Sequence, residues 1–253
     1  MRLQGRAALV TGGSGGVGRE TAREFAREGA AVAVQYRGSE DRARKVVAEI
    51  EAAGGKGVAL QADLTDPASC RALVAAAVEA LGRLDILACF HGAPFENAVW
   101  SSAFEDLKPE DFRAPIEVDL LGAVFVAQAV TPVMRAQRYG RIILTSSTPA
   151  ITGDRAGIAY LIAKAGILGL TRALATYLGP DNIHVNALAL GAVDTDAMSS
   201  LPPGAAEALA REAALGRRGT PTEVARKAVF LASGDADFMT GQTLVVDGGY
   251  AMR

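Results

Sequence analysis

From one end to the other, short β-branched runs alternate with longer stretches of helical periodicity, and few folds accommodate that alternation. Strands are expected at Ala7–Thr11, Ala31–Tyr36, Gly57–Ala62, Leu84–Phe90, Arg141–Ser146, Ile183–Ala189 and Thr243–Asp247. Helical patterns fall near residues 16–29, 39–53, 67–81, 110–137, 156–178 and 221–233. Several strands are apolar on both faces, as in Ile86-Leu87-Ala88 and Ile142-Ile143-Leu144. Parallel strands covered by helices on both sides have that pattern. The expectation is an α/β fold: one doubly wound parallel sheet of about seven strands. Local punctuation agrees. Asp66-Pro67 starts the third helix, Gly54-Gly55 and Gly82 mark helix ends, and Glu20/Arg23 and Glu24/Arg27 sit three apart on the solvent face of the first helix. No linker or repeat divides the chain, so residues 1–253 are read as one domain.

Between the first strand and the first helix the chain reads Thr11-Gly12-Gly13-Ser14-Gly15-Gly16-Val17-Gly18. A turn without Cβ atoms lets backbone N–H groups approach a pyrophosphate, and the positive end of the helix dipole then faces the phosphates. This is the Rossmann arrangement. The second strand ends in Gln35-Tyr36-Arg37, near where an adenosine ribose would lie, with Arg42 and Arg44 not far beyond. An acid there would bond the ribose hydroxyls, whereas a guanidinium pairs with a 2′-phosphate. The expected cofactor is therefore NADP(H), with NAD(H) left open. The alternative is that these arginines are solvated charges on a helix surface.

Half of the residues are hydrophobic and 21% are charged, enough for a sizeable core, and the net charge of -2 gives no electrostatic reason to expect nucleic acid or an anionic membrane as partner. Cys70 and Cys89 form no disulfide framework and have no metal-ligand spacing, so no metal is expected. No apolar signal segment precedes the first strand, and the uncharged run Leu120–Met134 is too short to span a bilayer. A soluble cytoplasmic protein is the expectation. Two helices, Val118–Met134 and Ile158–Leu170, are apolar nearly all round. One face is expected on the sheet and the other against a second subunit, which makes a homo-oligomer; the alternative is burial in a larger monomeric core.

Tyr160 and Lys164 stand four apart on one helix face, where the ammonium favours the phenolate and makes Tyr160 a usable proton donor or acceptor. Ser147 ends the preceding strand and can offer its hydroxyl to the same reacting oxygen.

Together the glycine-rich turn, Ser147 and the Tyr160/Lys164 pair resemble the short-chain dehydrogenase/reductase family over essentially the whole chain. Asp63-Leu64, Asn186, Thr195 and the ending Thr240-Gly241-Gln242 to Asp247-Gly248-Gly249 resemble it too. The resemblance implies that Gly12, Ser14, Gly16, Val17 and Gly18 line the dinucleotide. Tyr36 and Arg37 would meet its ribose, Asp63 and Leu64 its adenine, and Gly92, Gly191, Val193 and Thr195 would complete the site. Ser147 would position the substrate oxygen and Tyr160 would be the acid/base. Lys164 would hold the nicotinamide ribose and tune Tyr160.

The chain departs from the family pattern in three places. Cys89-Phe90-His91-Gly92 replaces the usual Asn-Asn-Ala-Gly, which leaves His91 either touching substrate or packing beside the cleft. Asp119 stands where the family has a catalytic asparagine that helps to hold a water connected to the lysine. If ionised, Asp119 disfavours the phenolate, so oxidation would need more alkaline conditions than reduction; the alternative is that it is protonated or turned away and has no electrical effect. Leu190-Gly191 replaces Pro-Gly. Gly15 also stands where many NADP-using relatives carry a basic residue. The stretch 93–112, with Phe95, Trp100 and Phe104, is read either as a substrate lid or as a surface excursion, and 192–215 as the second substrate-binding loop.

The expected function is hydride transfer between NADP(H) and a carbonyl or alcohol substrate, small or apolar by the composition of these loops. The rival is a non-catalytic dinucleotide-binding regulator or scaffold on the same fold, which the intact Ser147, Tyr160 and Lys164 disfavour.

Overall fold

Every residue of β1 (Ala7–Thr11) is buried, because strands flank it on both sides and helices cover both of its faces. In the computed structural model, which describes residues 1–196 and 204–252, β1 pairs in parallel with β2 (Ala31–Tyr36) and β4 (Ile86–Cys89). β3 (Gly57–Gln61) extends the sheet beyond β2. On the other side β5 (Gly140–Ser147), β6 (Ile183–Leu190) and β7 (Thr243–Val246) follow β4. The order is β3-β2-β1-β4-β5-β6-β7, parallel throughout. After β3 the chain crosses back to lie beside β1. The order reverses there, and a crevice opens beyond the C-terminal ends of β1 and β4.

The connecting helices are α1 (Gly16–Arg27), α2 (Glu40–Ala52), α3 (Pro67–Leu81), α4 (Asn97–Ser101), α5 (Pro109–Ala114), α6 (Gly122–Gln137), α7 (Pro149–Thr152), α8 (Ile158–Leu178), α9 (Ala205–Glu212) and α10 (Pro221–Ala232). Successive strand side chains point to opposite faces of a sheet. Val10, Val32 and Val34 therefore join Phe25, Val46 and Val224 in one core, while Leu9, Ala33 and Leu87 join Val74, Val126 and Ile167 in the other. The expected α/β fold and all seven strands are present. Asp66 caps α3 by accepting from the Ala68 and Ser69 N–H groups, and Gly82 ends that helix at φ 83°. The expected Glu20–Arg23 and Glu24–Arg27 ion pairs also form.

The stretch 110–137, expected as one helix, is not uniform. Between α5 and α6 the residues Pro115–Leu121 wind as a wide π-helical segment. Proline has no N–H to donate, so regular bonding lapses at Pro115, and the wider turn carries Asp119 inward, where it is buried. Gly166 of α8 lets this segment approach closely: a Cβ there would lie 2.6 Å from the Leu120 side chain. The short helices α4 and α7 and the longer α9 were not expected; α9 lies in a stretch rich in Ala, Ser and Pro that reads as loop. Part of the expected loop 192–215, residues 197–203, lies outside the described residues.

By length and composition alone, the helical stretches Pro109–Gln137 and Ile158–Asp181 could cross a membrane; both exceed the uncharged run Leu120–Met134. In this fold each lays an apolar face on the sheet through Val126, Val130, Ile167 and Leu178. Ile162 and Tyr177 remain exposed on the outer side of α8.

Candidate active site

Four elements converge at the C-terminal ends of the central strands: the turn after β1, the end of β5, the first two turns of α8 and the π-helical segment before α6. In the turn, Gly12 adopts φ 62°, and a Cβ on it would lie 2.7 Å from the Phe90 carbonyl oxygen. A Cβ on Gly18 would collide with the Gly12 carbonyl oxygen, whereas around Gly15 there is open space. Gly15 caps α1 without a side-chain acceptor, so the first N–H groups of α1 are left for an anion. The cradle fits a dinucleotide pyrophosphate, and Gly12, Gly16, Val17 and Gly18 are the residues whose backbone could hold it. Thr195 is brought to the same turn, its methyl 3.6 Å from where a Gly16 Cβ would be.

Gln35, which the sequence reading passed over, braces the turn. Its side-chain oxygen accepts from the Gly12 N–H at 2.8 Å, its amide donates to the Ala62 carbonyl at 2.8 Å, and its backbone carbonyl accepts from Gly13. A polar residue inside an apolar β-strand was the available signal. Tyr36 is buried in the core, so its ring faces away from solvent, while Arg37 is exposed beside Asp63. Hydrogen bonds from Thr65, with a smaller contribution from the Arg37 charge, hold the Asp63 carboxyl below the usual aspartate range. Arg42 donates to Ser39 and Arg44 pairs with Glu40 at 2.6 Å, so these two are helix-surface charges, as the alternative reading had it. Leu64 packs into the core, and Val193 forms a bridge with Gly219. Gly191 lies so close to Asp247 that a Cβ would come within 2.7 Å of the Asp247 Cβ.

Lys164 and Asp119 meet directly: Nζ stands 2.7 Å from Oδ1, with side-chain exposures of 6% and 2%. The second carboxylate oxygen accepts from the Ala93 N–H at 2.9 Å, beside Gly92. Where the family has an asparagine, this chain thus has a buried ion pair with the lysine. Burial works against the ammonium, but the Asp119 carboxylate and Tyr160 outweigh it and hold the lysine above its ordinary range. Lys164 also donates to the Thr145 carbonyl at 3.3 Å, and its Nζ lies 5.5 Å from the centre of the Tyr160 ring. The Ser146 hydroxyl donates to the Lys164 carbonyl, fixing α8 to β5.

Above this layer is a cavity of about 650 Å³, lined by Ser147, Tyr160 and Leu190 and walled by Phe95 and Trp100. Trp100 packs on the Tyr160 ring with centroids 5.7 Å apart, and on Phe95 at 5.5 Å. Gly157 makes room for it: at φ 69°, a Cβ there would lie 2.6 Å from the indole, and its N–H donates to the Trp100 carbonyl. The first part of 93–112 therefore forms a wall, while Phe104 points to solvent, 64% exposed, and does not line the cavity.

His91 is not among the lining residues. Its Nδ1 bonds Thr11 Oγ1 at 2.7 Å, and its Nε2 is buried without a partner among the described residues. Burial, reinforced by the nearby Lys164 charge, pushes the imidazole down to about 4. Burial likewise pushes the Cys89 thiol up to about 12 and the Cys70 thiol up to about 11, so neither is a nucleophile at neutral pH. Asn186 ties β6 to the C-terminal segment by accepting from the Gln242 N–H and donating to the Met239 carbonyl.

Known proteins resemble this chain over nearly all of its length. A family model described as enoyl-(acyl carrier protein) reductase matches residues 12–251. A 3-oxoacyl-[acyl-carrier-protein] reductase of Staphylococcus aureus is 36% identical over 247 residues, covering 98% of each chain. A 7α-hydroxysteroid dehydrogenase solved with NADH and 7-oxo glycochenodeoxycholic acid superimposes with a TM-score of 0.91 at 34% identity, covering 98% of this chain and 95% of that one. A short-chain dehydrogenase from Burkholderia cenocepacia, solved with NADP, gives a TM-score of 0.86 at 36% identity and 99% coverage of both.

The buried His91 generates a pH-dependent stability. Its depressed value means that the neutral ring contributes stability above the unfolded value of about 6.5, and that this is lost as pH falls toward 4. Going from pH 7 to 5 should cost the parent about 1–2 kcal/mol more than it costs His91→Asn. Urea midpoints of both proteins at the two pH values measure this, and equal losses would contradict it.

Proposed function

Because the chain belongs to the short-chain dehydrogenase/reductase family of NAD(P)-dependent enzymes acting on CH–OH and C=O groups, we propose that it interconverts a small carbonyl compound and its alcohol with NADP(H), Tyr160 serving as acid and base. The observation that carries this reading is the cavity that opens on Tyr160 and Ser147 with a buried ammonium 5.5 Å from the phenol ring.

The nicotinamide dinucleotide supplies or accepts the hydride when bound. In reduction the Tyr160 hydroxyl donates its proton to the developing alkoxide, and in oxidation the phenolate takes it back. Ser147 donates a hydrogen bond to the same substrate oxygen. Lys164 stabilises the phenolate through its charge, and the apolar cavity walls strengthen that interaction by keeping water out. Asp119 is a positioning residue: it fixes the ammonium and offsets part of its field. Gly12, Ser14, Gly16, Val17 and Gly18 hold the pyrophosphate, Arg37 the 2′-phosphate, and Gly92, Gly191, Val193 and Thr195 the nicotinamide side. The whole chain, 1–253, is then one dinucleotide-binding domain with the substrate side formed by 93–112 and 192–215. The exposed Ile162 and Tyr177 on the outer side of α8 support a homo-oligomer in the cytoplasm, with neither nucleic acid nor membrane as partner. A non-catalytic regulator would have little reason to pair a buried Lys164 with a phenol at the floor of a substrate-sized cavity.

Substituting Tyr160→Phe should lower kcat by about 10²–10⁴-fold while dinucleotide affinity stays within a few-fold. Turnover close to the parent's would remove Tyr160 as the proton carrier. For the cofactor, Arg37→Ala should reduce the NADPH-over-NADH ratio of kcat/KM by about tenfold, the loss of one charged phosphate contact. An unchanged ratio, or a parent that prefers NADH, would reject the 2′-phosphate assignment.

A further inference from the structure

The cavity over Tyr160 has apolar walls and an entrance of one sign. The carboxylates of Glu96, Glu110 and Glu212 stand exposed on its lining, and none has a hydrogen-bond or ion-pair partner among the described residues. Three further acids on the lining are held by backbone donors: Asp111 by the Lys108 N–H, Asp154 by Arg155 and Asp247 by Gly249 and Ala251. Among the described residues Arg217 is the one cationic side chain on the lining, and Glu223 holds its guanidinium at 2.7 and 2.9 Å. Among the described residues the lining is therefore predominantly acidic on its exposed side, and the aromatic side chains of Phe95 and Trp100 line the same cavity.

Building on the reading of Tyr160 as proton carrier, we propose that this pocket selects its carbonyl substrate by charge: it takes compounds without a fixed anion and favours those bearing a protonated amine. A carboxylate or phosphate entering between Glu96, Glu110 and Glu212 meets like charge. An ammonium meets opposite charge at the entrance and two aromatic rings inside, both of which attract it. The apolar depth accommodates the hydrocarbon part of either, so the sign of the substituent decides between them.

Three 4-arylcyclohexanones, identical except for a para methyl, aminomethyl or carboxylate group, form the test on the full chain at pH 7 and low ionic strength. With NADPH, the aminomethyl ketone should exceed the carboxylate in kcat/KM by at least about tenfold, with the methyl ketone between them, and added salt should compress the spread. The Glu96→Gln/Glu110→Gln/Glu212→Gln variant should narrow the amine-to-carboxylate ratio several-fold, chiefly through KM. Trp100 is the sole tryptophan of the chain, so quenching of its fluorescence reads the binding of the same three ketones without turnover. Binding that follows the charge order while no ketone is reduced would leave the selectivity standing and reject the role of Tyr160. A carboxylate ketone bound or reduced as well as its amine counterpart, or a ratio unmoved by the triple substitution, would overturn the proposal.

Discussion

A lysine ammonium shut away from water needs a counter-charge, and in this chain Asp119 provides it at 2.7 Å. Removing one member of such a pair leaves an isolated buried charge, a loss of roughly 3–5 kcal/mol, so the pair fixes its surroundings firmly. Much of the site's geometry follows from meeting that requirement. The π-helical turn at Pro115–Leu121 brings the carboxylate inward, Gly166 lets that turn approach α8, and the Ala93 N–H holds the second oxygen. Because α8 is a regular helix, anchoring Lys164 also sets where Tyr160 stands one turn earlier.

The glycine turn is supported by a second polar layer. Where the family pattern has two asparagines, Cys89 and Phe90 stand, and the bonding comes instead from Gln35 and the Thr11–His91 pair. A neutral imidazole suits that place, since a second cation beside Lys164 would compete for the Asp119 carboxylate. Burial, with a smaller push from the Lys164 charge, lowers His91, whereas Asp119 and Tyr160 raise Lys164 against its burial.

Seven strands and the main helices were legible in the sequence because parallel strands buried on both faces have few alternatives to continuous apolar runs. The glycine turn was legible because its spacing is local, and Ser147, Tyr160 and Lys164 stood out as candidates because their type is chemically restricted. What escaped was non-local. Nothing in the order of residues tells Gln35 to reach Gly12, or Trp100 to settle on Gly157, because those contacts exist only once the sheet has formed. The break in 110–137 was hidden for a related reason: Pro115 sits inside an apolar pattern that is helical on either side, and winding rather than pattern changes there. Asp119 was legible as a departure and as a charge close to the site, but its direct contact with Lys164 is again non-local.

The central claim is that the charge of Asp119, acting through Lys164, sets how readily Tyr160 gives and takes its proton. Cys89 and His91 nearby stay neutral around pH 7 and add no charge beside Lys164. The most direct measurement is the pH dependence of kcat/KM for ketone reduction and alcohol oxidation in the parent and in Asp119→Asn, which keeps the size and removes the charge. The account predicts that the oxidation profile of Asp119→Asn moves to lower pH, while reduction near neutral pH is retained. Superimposable profiles in both directions would contradict it.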